Sequence, residues 1–102
     1  MSIKKQYLKT RPECKVKFRV TRDQAGAASE VRLLGDFNGW DHNAAPMKRL
    51  KSGDFTTILY LDPDQSYEFR YLTGDGTWLN DAEADGSATT PYPEAANSVI
   101  MT

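Results

Sequence analysis

Histidine and cysteine are almost missing from this chain, which has one of each, His42 and Cys14. One cysteine excludes an internal disulfide and agrees with a reducing compartment. The same scarcity leaves no cysteine and histidine cluster for a metal, so no cofactor is expected. It also leaves acyl transfer without a nucleophile and base pair. No apolar run approaches the roughly 20 residues that cross a bilayer, so no membrane partner is expected. Residues Met1 to Lys9 open with positive charge but lack the apolar stretch of a secretory leader. The expected location is therefore cytoplasmic. A helix of ordinary length has no periodic support anywhere in the sequence.

What is present suits a small sheet protein. With 102 residues, 39% of them hydrophobic and 26% charged, the mixture is globular and the length fits one domain. Residues 1–102 are thus expected to form a single β-sandwich, with residues 1–12 as a basic arm. Charge is unevenly spread, since residues 1–22 hold eight Lys or Arg against one acid, Glu13. A basic arm can bind nucleic acid. Here, though, Lys15, Lys17 and Arg19 alternate with Val16, Phe18 and Val20, as the solvated face of a half-buried strand requires. No nucleic-acid partner is expected.

The alternation predicts strands over Cys14 to Thr21, Glu30 to Gly35, Phe55 to Leu61 and Ser66 to Thr73. Phe55, Thr57, Leu59 and Leu61 should face inward on the third of these. On the fourth, Tyr67, Phe69 and Tyr71 share one face while Glu68, Arg70 and Leu72 share the other, so Arg70 should point outward. Gly74-Asp75-Gly76 reads as a tight turn into Thr77 to Asn80, a hairpin partner. A polar stretch from Asp81 to Ala96 follows, and Asn97 to Thr102 closes the chain as a last strand. Short strands punctuated by Gly and Pro imply an all-β, immunoglobulin-like antiparallel β-sandwich. Val16, Phe18, Leu33, Leu59, Phe69 and Tyr71 are its expected core, with Cys14 as a small buried hydrophobe and Phe37 also inside.

Catalytic residues are not apparent. Asp81, Glu83 and Asp85 could supply the two carboxylates of a glycosidase, but acids in a small-residue loop are usually solvated. No catalytic residue and no enzymatic activity are expected. The tryptophans are more informative, because Trp40 ends the loop Gly35-Asp36-Phe37-Asn38-Gly39-Trp40 and Trp78 follows the Gly74 to Gly76 turn. Loops on a rigid scaffold are where binding residues gather. Residue statistics alone leave core filling as an equal alternative for each indole.

The ordered set Gly35-Asp36-Phe37-Asn38-Gly39-Trp40, Tyr67-Glu68-Phe69-Arg70-Tyr71, Asp75-Gly76-Thr77-Trp78 and Asn97-Ser98-Val99 resembles the family 48 carbohydrate-binding modules. These are the early-set domains of isoamylases and branching enzymes, and the glycogen-binding domain of the AMP-activated protein kinase β subunit is similar. The resemblance runs from about Cys14 to Thr102. It implies a non-catalytic module for α-1,4-glucan chains such as glycogen and maltodextrin, with a protein of glycogen metabolism as a further partner. It also implies Trp40 and Trp78 as platforms for glucose rings, Arg70 as a basic hydrogen-bond donor and Asn97 as a polar partner for hydroxyls.

The sequence departs from the family pattern in three places. The turn before Trp78 is one residue longer than in the kinase-subunit version, and Arg70 replaces a lysine, which changes donor geometry. Thr90 to Ala96 stands where relatives place Gly-containing contact loops, and its Tyr92 offers a third surface. The altered loop admits an alternative, a protein-interaction module of the same fold that has lost sugar binding.

Overall fold

The computed structural model describes residues 3–26, 28–81, 83–89 and 96–102. Among them the strands are, in chain order, β1 (Ile3–Tyr7), β2 (Cys14–Val20), β3 (Val31–Gly35), β4 (Lys48–Arg49), β5 (Phe55–Leu61), β6 (Ser66–Thr73), β7 (Trp78–Leu79), β8 (Gly86–Thr89) and β9 (Ala96–Met101). One sheet has the order β1-β2-β5-β4, the other β3-β6-β9-β8 with β7 also paired to β6. All pairings are antiparallel. The molecule is the expected immunoglobulin-like β-sandwich. None of the helical turns among the described residues is long and apolar enough to cross a membrane.

Alternation dictates the layers. On β2, Cys14, Val16, Phe18 and Val20 are buried, and the register sets them opposite Leu61, Leu59, Thr57 and Phe55 of β5. The second sheet returns Phe69 and Tyr71 of β6 beside Gly35 and Leu33 of β3. Phe18 meets Phe69 edge-on at 5.3 Å between ring centroids, and Phe69 meets Tyr71 at 5.7 Å. Such edge-to-face pairs add to the area they remove from water. Of the expected core, Val16, Phe18, Leu33, Phe69 and Tyr71 are buried, whereas Leu59 is only half-buried against the cluster. Phe37 is likewise partly buried, packed between Phe18 and Tyr67.

Two stretches differ from the pattern reading. Ile3–Tyr7, within the basic arm, is an edge strand on β2 whose inward residues tie the two sheets together. Ile3 is buried, Lys5 donates to Asp85 at 2.6 Å, and the Tyr7 hydroxyl donates to the Thr102 carbonyl at 2.6 Å. Within the polar stretch after Asp81, Gly86–Thr89 forms β8 on β9. Asp81 itself is buried rather than solvated. Its carboxylate accepts from the Tyr71 hydroxyl at 2.7 Å and from the Glu83 N–H at 2.9 Å, partners that only the folded chain supplies.

Candidate functional site

The segment from Gly35 to Trp40 is built residue by residue. A Cβ at Gly35 would lie 2.6 Å from the Glu68 carbonyl and 2.7 Å from the Phe37 ring, so only glycine lets β3 meet β6 there. A 3₁₀ turn over Asp36–Asn38 follows. Asn38 secures it by accepting from the Gly35 N–H at 3.1 Å and donating to the Leu33 carbonyl at 2.9 Å. Gly39 and then Trp40 take the left-handed conformation, with φ of 65° and 58°. Left-handed backbone is unfavourable for a bulky residue and persists where surrounding contacts impose it. Here the Trp40 N–H donates to the Gly35 carbonyl and its indole Nε1 donates to Asp36 Oδ1, both at 3.0 Å. The other oxygen of Asp36 accepts from the Glu68 N–H at 2.8 Å, just beyond the end of the β3 ladder. Asp36 thus fastens the Trp40 loop to β6.

The outward row of β6 carries the rest. Arg70 Nε donates to Asn97 Oδ1 of β9 at 2.6 Å, and Asn97 Nδ2 donates to Glu68 Oε1 at 3.0 Å. The Arg70 guanidinium lies 5.8 Å from the ring centroid of Trp78, whose strand β7 pairs with Leu72. Arg70 therefore meets both Asn97 and Trp78 directly, while Trp40 joins them through Asp36 and Glu68. Neither indole belongs to the core: Trp40 is half-buried and Trp78 is 40% exposed. Leu34, opposite Arg70 on the same face, is fully buried yet also outside the core cluster, giving this face an apolar floor.

The turn before Trp78 is firmly tied. Thr73 Oγ1 accepts from the Thr77 N–H at 3.0 Å and bonds to the Asp75 carboxylate, and the Gly74 N–H donates to the Glu30 carbonyl at 2.9 Å. The Thr73 hydroxyl, then contacts from Thr77, hold the Asp75 carboxyl below the usual carboxylate range.

Three contributors escape sequence reasoning. His42 stands edge-on to Trp78 at 5.6 Å, so the loop that bears Trp40 also touches the second indole. Asp36 and Glu68 complete the polar chain. Asp36 lies inside the resemblance motif, but one of its two roles depends on a partner 32 residues away. Tyr92 and the segment 90–95 lie outside the described residues.

The acids after β7 are differently employed. Asp81 lies in a buried polar cluster in which its N–H donates to Ser98 Oγ at 2.9 Å, and Tyr71 titrates well above its ordinary range, because burial disfavours the phenolate and the Asp81 charge adds to that. A cavity of about 180 Å³ beside this cluster is lined by Val20, Gln24, Tyr71, Leu79, Asn80 and Asp81. Asp85 accepts from Lys5 and from the Met101 N–H. Burial alone would raise its pKa, but these donors outweigh burial and lower it.

A β-sandwich that holds aromatic and hydrogen-bonding side chains on an outer sheet face, apart from its own core, has the architecture of a binding module. Residues 11–85 match Carbohydrate-binding module 48 (Isoamylase N-terminal domain), and the chain belongs to that family. It is 32% identical over 75 residues to the 1,4-alpha-glucan branching enzyme GlgB of Corynebacterium jeikeium, covering 72% of this chain and 10% of that protein. It is 40% identical over 58 residues to the enzyme of the same name from Butyrivibrio fibrisolvens, covering 55% and 9%. Protein FLOURY ENDOSPERM 6, chloroplastic, of Oryza sativa subsp. japonica is 43% identical over 54 residues, covering 53% and 10%. The chain thus spans about a tenth of the length of these relatives, and in the branching enzymes the module is one part of a larger chain.

Proposed function

We propose that the chain is a non-catalytic module that binds α-1,4-glucan, glycogen or maltodextrin, on the outer face of the β3-β6-β9-β8 sheet. The observation that carries this reading is the continuous set of contacts joining Trp40, Asp36, Glu68, Asn97, Arg70 and Trp78, with both indoles outside the core. The names of the branching-enzyme relatives point to the same glucan class. A glucose ring exposes a C–H face that covers an indole, and removing roughly 100 Å² of apolar surface from water contributes about 2.5 kcal/mol per platform before costs. Arg70 spends its Nε on Asn97, and its terminal nitrogens remain donors for hydroxyls beside Trp78. His42 and Arg70 steady the Trp78 ring, and Asp36 steadies that of Trp40. The indoles rise from separate loops, which suits a curved α-1,4 chain. Ordering and association costs leave a dissociation constant of roughly 0.1 to 1 mM.

Asp81 and Asp85 serve as internal hydrogen-bond acceptors, which supports the non-catalytic part of the reading. Retention on an amylose matrix tests it. The wild type should be retarded and eluted by free maltodextrin, with Trp40→Ala and Trp78→Ala running through. Equal retention of all three proteins would move the sugar site elsewhere, and release of reducing sugar from the matrix would contradict a non-catalytic role.

A further inference from the structure

The outer face of the other sheet, β1-β2-β5-β4, has a composition that the fold does not explain. The register sets Lys17 of β2 between Lys4 of β1 and Ile58 of β5, and Lys15 between Gln6 and Tyr60. Lys48 of β4 lies on the same face, opposite Thr56. Of the cations here Arg19 has an acid, Asp54 at 2.6 Å, and Arg11 has Glu13 at 3.2 Å; among the described residues no carboxylate pairs with Lys4, Lys15, Lys17 or Lys48. Like charges directly opposite on neighbouring strands weaken a sheet, so the Lys4 and Lys17 pair costs stability. Lysines on an edge strand guard against strand addition, which accounts for Lys4. Lys15 and Lys17 sit on β2, an interior strand, and guard nothing. Between these charges Ile58 is 44% exposed and Tyr60 is 50% exposed.

We propose that this face docks an acidic protein surface. An apolar centre rimmed by charge is the anatomy of a protein interface, and the rim of one sign calls for carboxylates opposite. Nucleic acid fits less well, because the Arg11 guanidinium already lies 5.3 Å from the centroid of Tyr60, the one aromatic ring on the face among the described residues, and Ile58 offers nothing to a phosphate chain. The face belongs to the sheet opposite the indoles, so a partner docked here leaves them free. The inference stands on the register and on charge and does not depend on sugar binding.

The test uses the whole chain, the double variant Lys15→Glu/Lys17→Glu and Trp78→Ala. Each serves as bait in a nuclease-treated extract of cells that naturally carry the chain, and any protein retained by the wild type and lost from the double variant is purified and titrated. The expected result is binding at least tenfold weaker for the double variant, weakened again between about 50 and about 300 mM sodium chloride, and unchanged by Trp78→Ala. The single variant Lys17→Glu, which places an acid opposite Lys4, should melt at or above the wild-type temperature. Retention seen only when the nuclease treatment is omitted, the same proteins captured by the wild type and the double variant, no protein captured, or a Lys17→Glu protein that melts well below the wild type would each overturn the proposal.

Discussion

Trp40 and Trp78 have one part in the proposed sugar site but stand differently in the fold. Trp78 is exposed on a two-residue strand, so Trp78→Ala should cost less than about 1 kcal/mol of stability, where a core tryptophan would cost about 3 to 5. The same change should weaken α-glucan binding by about 1 to 3 kcal/mol, so thermal melts and sugar titrations on one variant separate platform from core residue. Trp40 sits at φ 58°, a conformation that penalises any residue with a Cβ. Trp40→Gly should therefore match or exceed Trp40→Ala in stability by up to about 1 kcal/mol, reversing the usual order, as denaturant unfolding of the pair would show. A lower stability for the glycine variant would mean that the left-handed turn is not held as described. Asp36 accepts from both the Trp40 indole and the Glu68 backbone. Asp36→Ala should accordingly cost about 1 to 3 kcal/mol in unfolding free energy and weaken sugar binding with it; loss of neither would contradict its role as the fastening between loop and strand.

At the scale of elements, what was legible followed from local alternation, and what was not depended on distant partners. β2 and β6 announce themselves because apolar residues recur at every second position, and β5 because its seven residues are aromatic, β-branched or leucine between two turn signals. β8 consists of Gly86-Ser87-Ala88-Thr89, small residues without alternation, and exists because β9 offers it an unpaired edge. β1 buries only Ile3, so its pattern reads as a charged arm until Lys5 and Tyr7 find Asp85 and Thr102. Asp81 looked like a solvated loop acid because nothing in its own neighbourhood reveals that Tyr71 and Ser98 enclose it. Family resemblance, rather than periodicity, singled out Arg70 and Asn97, and these two residues bond directly; Glu68 and His42 came to light only with the pairing of β6 to β9 and the course of the loop after Trp40. The close approach at Gly35 gives a test of this level. Gly35→Ala forces a methyl against the Glu68 carbonyl and the Phe37 ring, and the overpacking should cost at least about 1 to 3 kcal/mol. A Gly35→Ala protein as stable as the wild type would show that β3 and β6 can part there without loss.

For the whole molecule, the fold determines acid stability, and the proposed function adds glucan binding. Asp54, Asp75 and Asp85 all hold folded pKa values below the ordinary 3.8. For Asp54 the first cause is the hydrogen bond from Arg19, followed by the Arg22 N–H. A carboxyl depressed by folding adds stability that is complete above its unfolded pKa and is lost as pH falls through the folded one. The melting temperature should therefore hold down to about pH 5 and fall once pH drops below about 4, and Asp85→Asn should shallow that fall. A melting temperature that rises on acidification would contradict the signs of all three shifts. The proposed glucan binding would need the two indoles together with the polar row between them, and it is read most directly by titrating the wild-type chain with maltoheptaose while following tryptophan fluorescence. The predicted result is a saturable change with a dissociation constant of roughly 0.1 to 1 mM, reduced in amplitude and affinity in Trp78→Ala. An unchanged spectrum up to about 10 mM sugar, ten times the weakest predicted constant, would contradict it.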